Sequence, residues 1–242
     1  MIGWRARIGV LLPPDNAVLE YEVNRLPLPG ISFHIARMFP VELGELPQDA
    51  PRHIPSLKEC RIHFIVYACA ASSFMFGPAS NDELEKRIRE LSGLDAVTAT
   101  SSMILSLKAL GIRRVALATP YWRELDEKLL SYFAAGDIRV VNIQSLQLDN
   151  WEAMNNQTPN AVYRLARKAD HPDAEGILVL STNLPTFEVL QVLEDDLGKP
   201  VVSTNQGMVW TACRRLGIRD TIAGFGSLWQ QKKLAEGIKQ RV

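Results

Sequence analysis

The sequence predicts an α/β protein of two pseudo-symmetric, duplicated halves, each with its own parallel sheet. First, short apolar runs alternate with helical segments along all 242 residues, which is typical of βαβ units. Second, Ile8–Pro13 resembles Val115–Pro120, and Leu-Gly-Ile-Arg occurs at Leu110–Arg113 and again at Leu216–Arg219. Chance similarity among α/β units is the alternative explanation of this repeat. If the halves are related, strand ends from both meet at their interface, where we expect the active site.

Eight strands are predicted, four in each half. In chain order they are Arg7–Leu12, Ile31–Ala36, Phe64–Ala68, Asp95–Thr98, Arg114–Ala118, Ile138–Ile143, Gly176–Leu180 and Val201–Ser203. The helices expected between them include Ala17–Asn24, Asn81–Leu91 with Asn81 or Asp82 as N-cap, and Trp122–Ala135 closed by Gly136. We expect a first half of residues 1–106, completed by residues 221–242, and a second half of residues 107–220.

The composition is that of an ordinary globular protein and favours a small-molecule partner. Hydrophobic residues make up 47% and charged residues 22% of the chain, and 27 basic residues balance 27 acidic ones. A neutral chain without a basic run is not expected to bind nucleic acid or an anionic membrane. The N-terminus has no signal-peptide pattern and no apolar stretch reaches about 18 residues, so we expect a cytoplasmic protein.

A metal site and a nucleotide or dinucleotide cofactor are not expected either. The three cysteines, at positions 60, 69 and 213, show neither a disulfide framework nor a metal-binding spacing, and we expect reduced thiols. The four histidines lie away from the predicted strand ends. Gly224-Phe225-Gly226 lacks the third glycine of a dinucleotide-binding motif. Any chemistry is therefore expected from the side chains of the chain alone.

Cys69 is the strongest candidate for chemistry. It follows the apolar run Phe64–Ala68, and parallel α/β sheets carry their active sites at such strand ends. Backbone N–H groups at a following helix start favour the thiolate, so we expect a lowered pKa for the Cys69 thiol. The alternative is that Cys69 is a small buried apolar residue. Cys60 and Cys213 lie within helical patterns and are expected to be structural.

Ser181 occupies the corresponding place in the second half. It follows Gly176–Leu180 as Cys69 follows the first-half strand. A hydroxyl without a neighbouring base is a weak nucleophile, but it can hydrogen-bond a carboxylate. The short polar side chains and N–H groups near these strand ends are either carboxylate ligands or ordinary helix caps. The candidate binding residues are Asn16, Ala70, Ser72, Ser73, Tyr121, Thr182, Asn183 and Asn205.

Two further segments are candidates for shaping a pocket. Pro40, Pro47 and Pro51 bracket the loop 39–49, which either lies over the cleft or is a plain surface connection. Phe74–Phe76 follow Cys69 and either line the pocket or belong to the core. The sequence alone leaves both alternatives open.

The chain resembles the aspartate/glutamate racemase superfamily, and within it the maleate cis-trans isomerase and arylmalonate decarboxylase branch. The resemblance spans nearly the whole chain and rests on Ile8–Asn16 with Glu20 and Glu22, Tyr67–Cys69 with Ser72–Phe74, Arg113–Tyr121, Leu180–Leu184 and Gly198–Gln206. It implies two pseudo-symmetric α/β halves, a small carboxylate or dicarboxylate substrate held by backbone amides between a cysteine from each half, no cofactor, and a homodimer. Cys69 matches the first-half cysteine, which in maleate isomerases looks like the nucleophile that adds to the alkene. Asn16 and Tyr121 match positions that resemble the substrate clamp of those enzymes.

The chain departs from the family pattern at Ser181, which replaces the usual second-half cysteine. This replacement argues against racemisation by two bases. The resemblance favours, first, a cis-trans isomerase that acts on a small unsaturated dicarboxylate through Cys69. The alternatives are a decarboxylase of substituted malonates with Cys69 as proton donor, a racemase or another lyase, and a non-catalytic anion-binding protein.

Overall fold

The computed structural model describes residues 2–234, which form two four-stranded parallel sheets with surrounding helices. This architecture confirms the prediction of an α/β fold with two duplicated halves. The strands are β1 (Ala6–Leu12), β2 (Ile31–Arg37), β3 (Phe64–Tyr67), β4 (Asp95–Thr98), β5 (Arg114–Thr119), β6 (Arg139–Ser145), β7 (Gly176–Val179) and β8 (Val201–Ser203). Each lies where the sequence predicts a strand, with ends that differ by two residues at most.

The helices follow the strands along the chain. They are α1 (Leu19–Val23), α2 (Leu46–Asp49), α3 (Ile54–Glu59), α4 (Ala70–Phe74), α5 (Pro78–Ser92), α6 (Ala99–Ala109), α7 (Arg123–Ala134), α8 (Trp151–Asn155), α9 (Pro159–Ala169), α10 (Leu190–Leu197) and α11 (Thr204–Arg215). Among the helices of residues 2–234, none is both long enough and apolar enough to cross a bilayer.

The two sheets have the same strand order. The first is β2-β1-β3-β4 and the second is β6-β5-β7-β8, so the similar segments β1 and β5 occupy equivalent positions. Val10 pairs with Val66 in the first sheet, and Leu117 pairs with Leu178 in the second. Because the strands of each sheet are parallel, β1 and β3 end at the same edge of the first sheet, and β5 and β7 end at the same edge of the second. Cys69 follows the end of β3, and Ser181 follows the end of β7.

Burial explains which strands carry the candidate site. β3 and β7 are buried along their whole length, whereas β2 and β6, at the outer edges, are only partly buried. Strands covered by helices on both faces read as continuous apolar runs, which is why the sequence reveals them. The strand ends before Cys69 and Ser181 therefore belong to the most deeply buried part of each sheet.

Helices α6 and α11 pack against each other between the two halves. A Cβ atom added at Gly207 of α11 would lie 2.9 Å from the Ser106 hydroxyl and 3.4 Å from the Ser102 carbonyl oxygen of α6. The Thr204 hydroxyl donates to Met103 Sδ at 3.2 Å across the same contact. Glycine at position 207 thus allows the two helix backbones to approach closely.

The segment after α11 contacts both halves. Arg5 and Asp220 form an ion pair at 2.6 Å, and the Ser227 hydroxyl donates to Glu194 of α10 at 2.9 Å. Trp210 Nε1 donates to the carbonyl oxygen of Gln231 at 3.1 Å. The domain boundaries at residues 106 and 220 stay predictions, and residues 235–242 of the predicted completing segment lie outside the described residues.

Helix α1 begins two residues later than predicted. The side-chain oxygen of Asn16 accepts hydrogen bonds from the N–H groups of Val18 and Leu19, at 3.0 and 2.9 Å. Asn16 therefore satisfies N–H groups that the first turn of α1 leaves free. Helix α7 forms where predicted, within one residue at each end.

Helix α5 begins earlier than predicted. Its N-cap is Gly77, which has a φ of 86° and precedes Pro78, so the assignment of Asn81 or Asp82 as N-cap is wrong. Proline at the first helical position needs no N–H partner there, and this moves the start by almost one turn. Asn81 is buried inside the helix and its side-chain oxygen accepts from the Thr98 hydroxyl at 2.6 Å.

Candidate active site

A cavity of about 320 Å³ lies between the halves, at the carboxyl ends of β1, β3, β5 and β7. This volume is within the range of small-molecule sites. The lining residues are Pro13, Pro14, Asp15, Pro40, Val41, Glu42, Leu43, Leu46, Cys69, Ala70, Ala71, Tyr121, Trp151, Ser181, Thr182 and Asn183. Six of the ten predicted site residues are therefore brought together, namely Cys69, Ala70, Tyr121, Ser181, Thr182 and Asn183.

Cys69 sits directly before α4, in an extended conformation. The N–H groups of Ala71 and Ser72 and the Ser72 hydroxyl lie near its sulfur, and their partial positive charge lowers the pKa of the thiol. Burial has the larger effect, and together with the charge of Asp15 it raises the pKa of Cys69 to about 11. The prediction of a lowered pKa is therefore wrong, because desolvation of the thiolate outweighs the donors at the helix start.

Ser181 has an unusual backbone conformation for a residue with a side chain. Its φ is 88°, in the left-handed region that favours glycine, and such strain is typical of functional sites. The N–H of Asn183 donates to the Ser181 hydroxyl oxygen at 3.1 Å. Burial, and then the charge of Cys69, raise the pKa of Tyr121, and the nearby Ser181 hydroxyl lowers it by less. Ser181, Tyr121 and Cys69 thus form the polar end of the cavity.

Asn16 lies beside the cavity but not on its lining. Its side-chain nitrogen donates to the Thr182 hydroxyl at 3.0 Å and to the Asn183 side-chain oxygen at 3.3 Å. Its oxygen caps α1, as described above. The amide therefore connects the first half to the Ser181 end of the second half, and a direct contact with substrate stays a prediction.

Three other predicted ligands also lie off the cavity lining. The Ser72 hydroxyl is 2.6 Å from the hydroxyl of Tyr67, and the Ser73 hydroxyl is 2.5 Å from that of Thr100. The side-chain nitrogen of Asn205 donates to Glu22 at 2.6 Å. These hydroxyls and this amide hydrogen-bond to other side chains of the protein, and a direct contact with substrate stays a prediction for all three.

The apolar part of the cavity lining was only partly visible in the sequence. Loop 39–49 contributes Pro40–Leu43 and Leu46 to the lining. Of the two alternatives for this loop, it lies over the cleft and is not a plain surface connection. Trp151 comes from α8, far along the chain, and nothing in its neighbourhood indicates a pocket residue. Phe74 is fully buried in the core and Phe76 is exposed, and neither lines the cavity.

Charge in the cavity is negative. Asp15 and Glu42 are among its lining residues, and none of those residues is a lysine or an arginine. Asp15 accepts a hydrogen bond from the side-chain nitrogen of Asn183 at 3.1 Å, which connects it to the Ser181 end of the site. An anionic substrate must therefore be held by N–H and O–H donors. Within residues 2–234, no group of three or more His, Cys, Asp or Glu side chains is arranged to hold a metal ion.

The comparisons with known proteins agree with this geometry. The maleate isomerase of Geobacillus stearothermophilus is 23% identical over 245 residues, which cover 93% of this chain and 98% of that protein. A liganded double mutant of arylmalonate decarboxylase, with one glycine replaced by cysteine and one cysteine by serine, is 29% identical, with a TM-score of 0.85 and coverage of 92% of this chain and 98% of that one.

A second solved structure has the same fold. It is a cysteine-to-serine mutant of the Nocardia farcinica maleate cis-trans isomerase with a covalently bound succinylcysteine intermediate, 24% identical, with a TM-score of 0.87 and coverage of 93% of this chain and 98% of that one. The family model described as arylmalonate decarboxylase matches residues 12–229, which is most of the chain. The chain therefore belongs to the arylmalonate decarboxylase family.

Proposed function

We propose that this chain is a cysteine-dependent isomerase that converts a small cis dicarboxylate of the maleate type into its trans isomer, with Cys69 adding to the alkene. The observation that carries the proposal is the position of Cys69 in a cavity between the halves, with donors of α4 at its sulfur. The match to a maleate isomerase over nearly the whole of both chains supports the same reaction.

The addition balances with the thiol alone. The S–H bond of Cys69 breaks, sulfur bonds to one alkene carbon, and the proton goes to the neighbouring carbon, so the double bond becomes a single bond that can rotate. Elimination then removes a proton from that neighbour, breaks the C–S bond and restores the thiol. Addition of a cysteine thiol to maleate gives a succinylcysteine, the intermediate held by the Nocardia farcinica mutant. Because burial raises the pKa of Cys69 to about 11, the thiol enters the reaction with its proton.

We assign the movement of that proton to the hydroxyls of Tyr121 and Ser181. Both line the cavity beside Cys69, and Tyr121 is close enough to Ser181 and to the thiolate charge of Cys69 for each to shift its pKa. Neither hydroxyl is a strong base. We therefore expect a longer-lived adduct and slower turnover than a second-half cysteine would give.

The developing charge on the substrate carboxylate is stabilised by fixed donors. The start of α4 at Ala70 supplies N–H groups from the first half, and Ser181 and Thr182 supply hydroxyls from the second. The side-chain nitrogen of Asn183 donates to Asp15 and Asn155, so Asn183 holds this end of the site in place. One well-placed donor can lower a barrier by about 3–4 kcal/mol in a site that excludes water. Ser73 and Asn205 lie off the lining, so in this proposal they support the site without touching substrate.

Decarboxylation of a substituted malonate is the second candidate, because part of the cavity lining is apolar and can hold the substituent of such a substrate. The apolar wall at Leu46 and Trp151 accommodates a bulky substituent, and the carboxylates of Asp15 and Glu42 disfavour a charged one. The C–C bond to one carboxylate breaks, carbon dioxide leaves, and the thiol of Cys69 delivers its proton to the resulting enediolate. The thiolate left on Cys69 then takes a proton from water, which restores the thiol.

The solved double mutant supports this second candidate. Its exchanged positions, 74 and 188, are 114 apart, and Cys69 and Ser181 are 112 apart, in the same order of cysteine and then serine. A proton donated by Cys69 would reach the face of the enediolate opposite to the one served by a second-half cysteine.

Proton NMR in D₂O distinguishes the two reactions. Maleate converted to fumarate by the parent and not by Cys69→Ala supports the isomerase. A substituted malonate converted to the monoacid with deuterium at its α-carbon, again only by the parent, identifies the decarboxylase. A Cys60→Ser variant is the matched control, because Cys60 is exposed and lies outside the cavity. Binding without turnover, unchanged by Cys69→Ala, would indicate an anion-binding protein instead.

The proposal extends to the setting of the enzyme. We propose a homodimer that works in the cytoplasm without metal or organic cofactor, built from halves divided near residues 106 and 220. The unpaired cysteines support a reducing compartment such as the cytoplasm. Size-exclusion chromatography with light scattering tests the dimer, and full activity after dialysis against a chelator tests the independence from metals.

A further inference from the structure

Glu22 is a buried carboxylate of the first half that is bound by donors of the second half. Only 3% of its surface is exposed, although it belongs to the short helix α1 near the surface. One carboxylate oxygen accepts from the N–H groups of Thr186 and of Phe187, the latter at 2.7 Å. The other accepts from the side-chain nitrogen of Asn205 at 2.6 Å. Glu22 therefore joins α1 to α11 and to the segment that follows Ser181.

Asn205 extends this contact along the same segment. Its side-chain nitrogen also lies 3.4 Å from the carbonyl oxygens of Thr182 and Leu184. Its side-chain oxygen is buried and has no hydrogen-bond partner within the described residues. The amide is thus held in one orientation, with its nitrogen shared between Glu22 and the Ser181–Phe187 segment.

The Ser181–Phe187 segment needs such support. Ser181, at its start, has a φ of 88°, and an L-residue keeps that conformation only where its surroundings hold it. Thr182 and Asn183 line the cavity immediately afterwards. The contacts of Glu22 and Asn205 hold the segment at the carbonyl oxygens of Thr182 and Leu184 and at the N–H groups of Thr186 and Phe187.

We propose that Glu22, acting with Asn205, is a positioning residue that holds the Ser181–Phe187 segment in the conformation that places the Ser181 hydroxyl in the cavity beside Tyr121 and Cys69. The inference rests on the proposed function, since it assigns the effect to proton movement by those hydroxyls. Glu22 lies off the cavity lining and acts only through the segment.

The Glu22→Gln substitution keeps the size of the side chain and changes its hydrogen bonding, so it tests positioning without removing packing. Its side-chain oxygen can still accept from Thr186 and Phe187, but its nitrogen would face the side-chain nitrogen of Asn205. Asn205 can rotate to offer its unused oxygen, and its nitrogen then leaves the carbonyl oxygens of Thr182 and Leu184. The fold is expected to survive while the segment loosens.

Protonation of Glu22 has a similar effect, because a donor at position 22 then faces the side-chain nitrogen of Asn205, which is also a donor. Burial, opposed by its hydrogen bonds, raises the pKa of Glu22 to about 7. The charged neighbours are Glu20 and Arg25 on α1, which pair with Arg37 and Glu188 respectively, while α11 presents the neutral Asn205. We expect kcat to rise with pH through about 7 in the parent and to be flat there in Glu22→Gln.

The test compares Glu22→Gln and Asn205→Ala with Glu20→Gln, a surface acid of the same helix that pairs with Arg37. We expect kcat to fall about tenfold or more in the first two variants, with KM changed less than about threefold, because small misplacements of reacting groups are costly. Glu20→Gln keeps the parent kcat. Unchanged kcat in Glu22→Gln would overturn the proposal, and Asn205→Ala makes the same test if Glu22→Gln fails to fold.

Hydrogen–deuterium exchange provides a readout that does not need turnover. Peptides that cover Ser181–Phe187 should exchange faster in Glu22→Gln and Asn205→Ala than in the parent or Glu20→Gln. Faster exchange in a protein without isomerase or decarboxylase activity would support positioning and reject the proposed function. Unchanged exchange in both variants would reject positioning whatever the activity.

Discussion

At the scale of single residues, Cys69 shows how the surroundings of a side chain determine its chemistry. The α4 donors at its sulfur favour the thiolate, and burial favours the thiol by more. A thiol that keeps its proton can supply that proton to carbon, in addition to an alkene or in protonation of an enediolate. The raised pKa is therefore compatible with both candidate reactions.

Alkylation rates test this view of Cys69. We expect iodoacetamide to modify Cys69 slowly at pH 7 and faster as the pH rises toward about 11, because only the thiolate reacts. The measurement is peptide mass spectrometry over time in a Cys60→Ser background, since exposed Cys60 would otherwise react first. Rapid modification of Cys69 below pH 7 would show instead that the thiolate is stabilised.

Ser181→Cys tests the role of the second-half hydroxyl. A thiol is a better proton carrier than a serine hydroxyl, and the backbone strain at φ 88° is the same for both residues. We expect kcat to rise by about tenfold or more in the variant and to fall in Ser181→Ala, measured by the NMR assay. Equal rates in all three proteins would remove Ser181 from the reaction.

At the scale of secondary-structure elements, the α6–α11 contact determines how the halves meet. Gly207 leaves no space for a Cβ atom beside Ser106 and Ser102. The Ser181–Phe187 segment and α11 are joined through Asn205, so a shift of α11 reaches the site. The packing of these helices thus bears on the geometry of the cavity as well as on stability.

Gly207→Ala is expected to lower the free energy of unfolding by about 1–3 kcal/mol, because the new methyl group overpacks the contact. Gly136→Ala is the matched control, since its Cβ atom would meet only the Phe133 carbonyl oxygen, at 3.6 Å. There we expect a change of less than about 1 kcal/mol. Urea unfolding curves measure both, and equal stability of the two variants would contradict the close approach of the helices.

At the scale of the whole molecule, Glu22 lies where the two halves meet. Its ionisation is expected to lower the stability of the fold and to favour the function that we propose. Its pKa is about 7 in the fold and about 4.5 in an unfolded chain, so between these values the folded state holds a proton that the unfolded state releases. The resulting stabilisation is complete below the unfolded pKa and is lost as the pH rises through about 7. The ionised form that we propose for function is therefore the less stable one.

Because Glu22 titrates and a glutamine does not, we predict that the difference in unfolding free energy between the parent and Glu22→Gln changes with pH. From pH 5 to pH 8 the parent should lose about 1–3 kcal/mol of unfolding free energy relative to the variant, in which position 22 does not titrate. Urea unfolding at the two pH values measures the difference, and Glu20→Gln should follow the parent. A difference that stays constant with pH would show that Glu22 does not titrate in this range.

Much of the fold could be predicted from the sequence, because buried parallel strands are continuous apolar runs. Cys69 and Ser181 could be found for a related reason, since they directly follow two such runs. Trp151 could not, because it reaches the cavity from a separate helix through tertiary packing alone. The raised pKa of Cys69 depends on burial by distant parts of the chain, which local sequence does not show.

The roles of polar residues were the hardest to predict. Asn16 and Asn205 are chemically suited to bind a carboxylate, and the structure uses their amides to join the two halves. Only the positions of their partners in the second half and in α1 distinguish these uses. A buried acid such as Glu22 leaves no local signal, since its neighbours in sequence are those of an ordinary surface helix.

The most direct test of the central claim is peptide mass spectrometry of the protein after incubation with maleate. In a Cys60→Ser background, where the reactive surface thiol is gone, we predict a mass increase of one maleic acid on the peptide that carries Cys69. The adduct should accumulate more in the parent than in Ser181→Cys, which is expected to release product faster. Fumarate formation that persists in Cys69→Ala, with no adduct on Cys69 in the parent, would contradict the account.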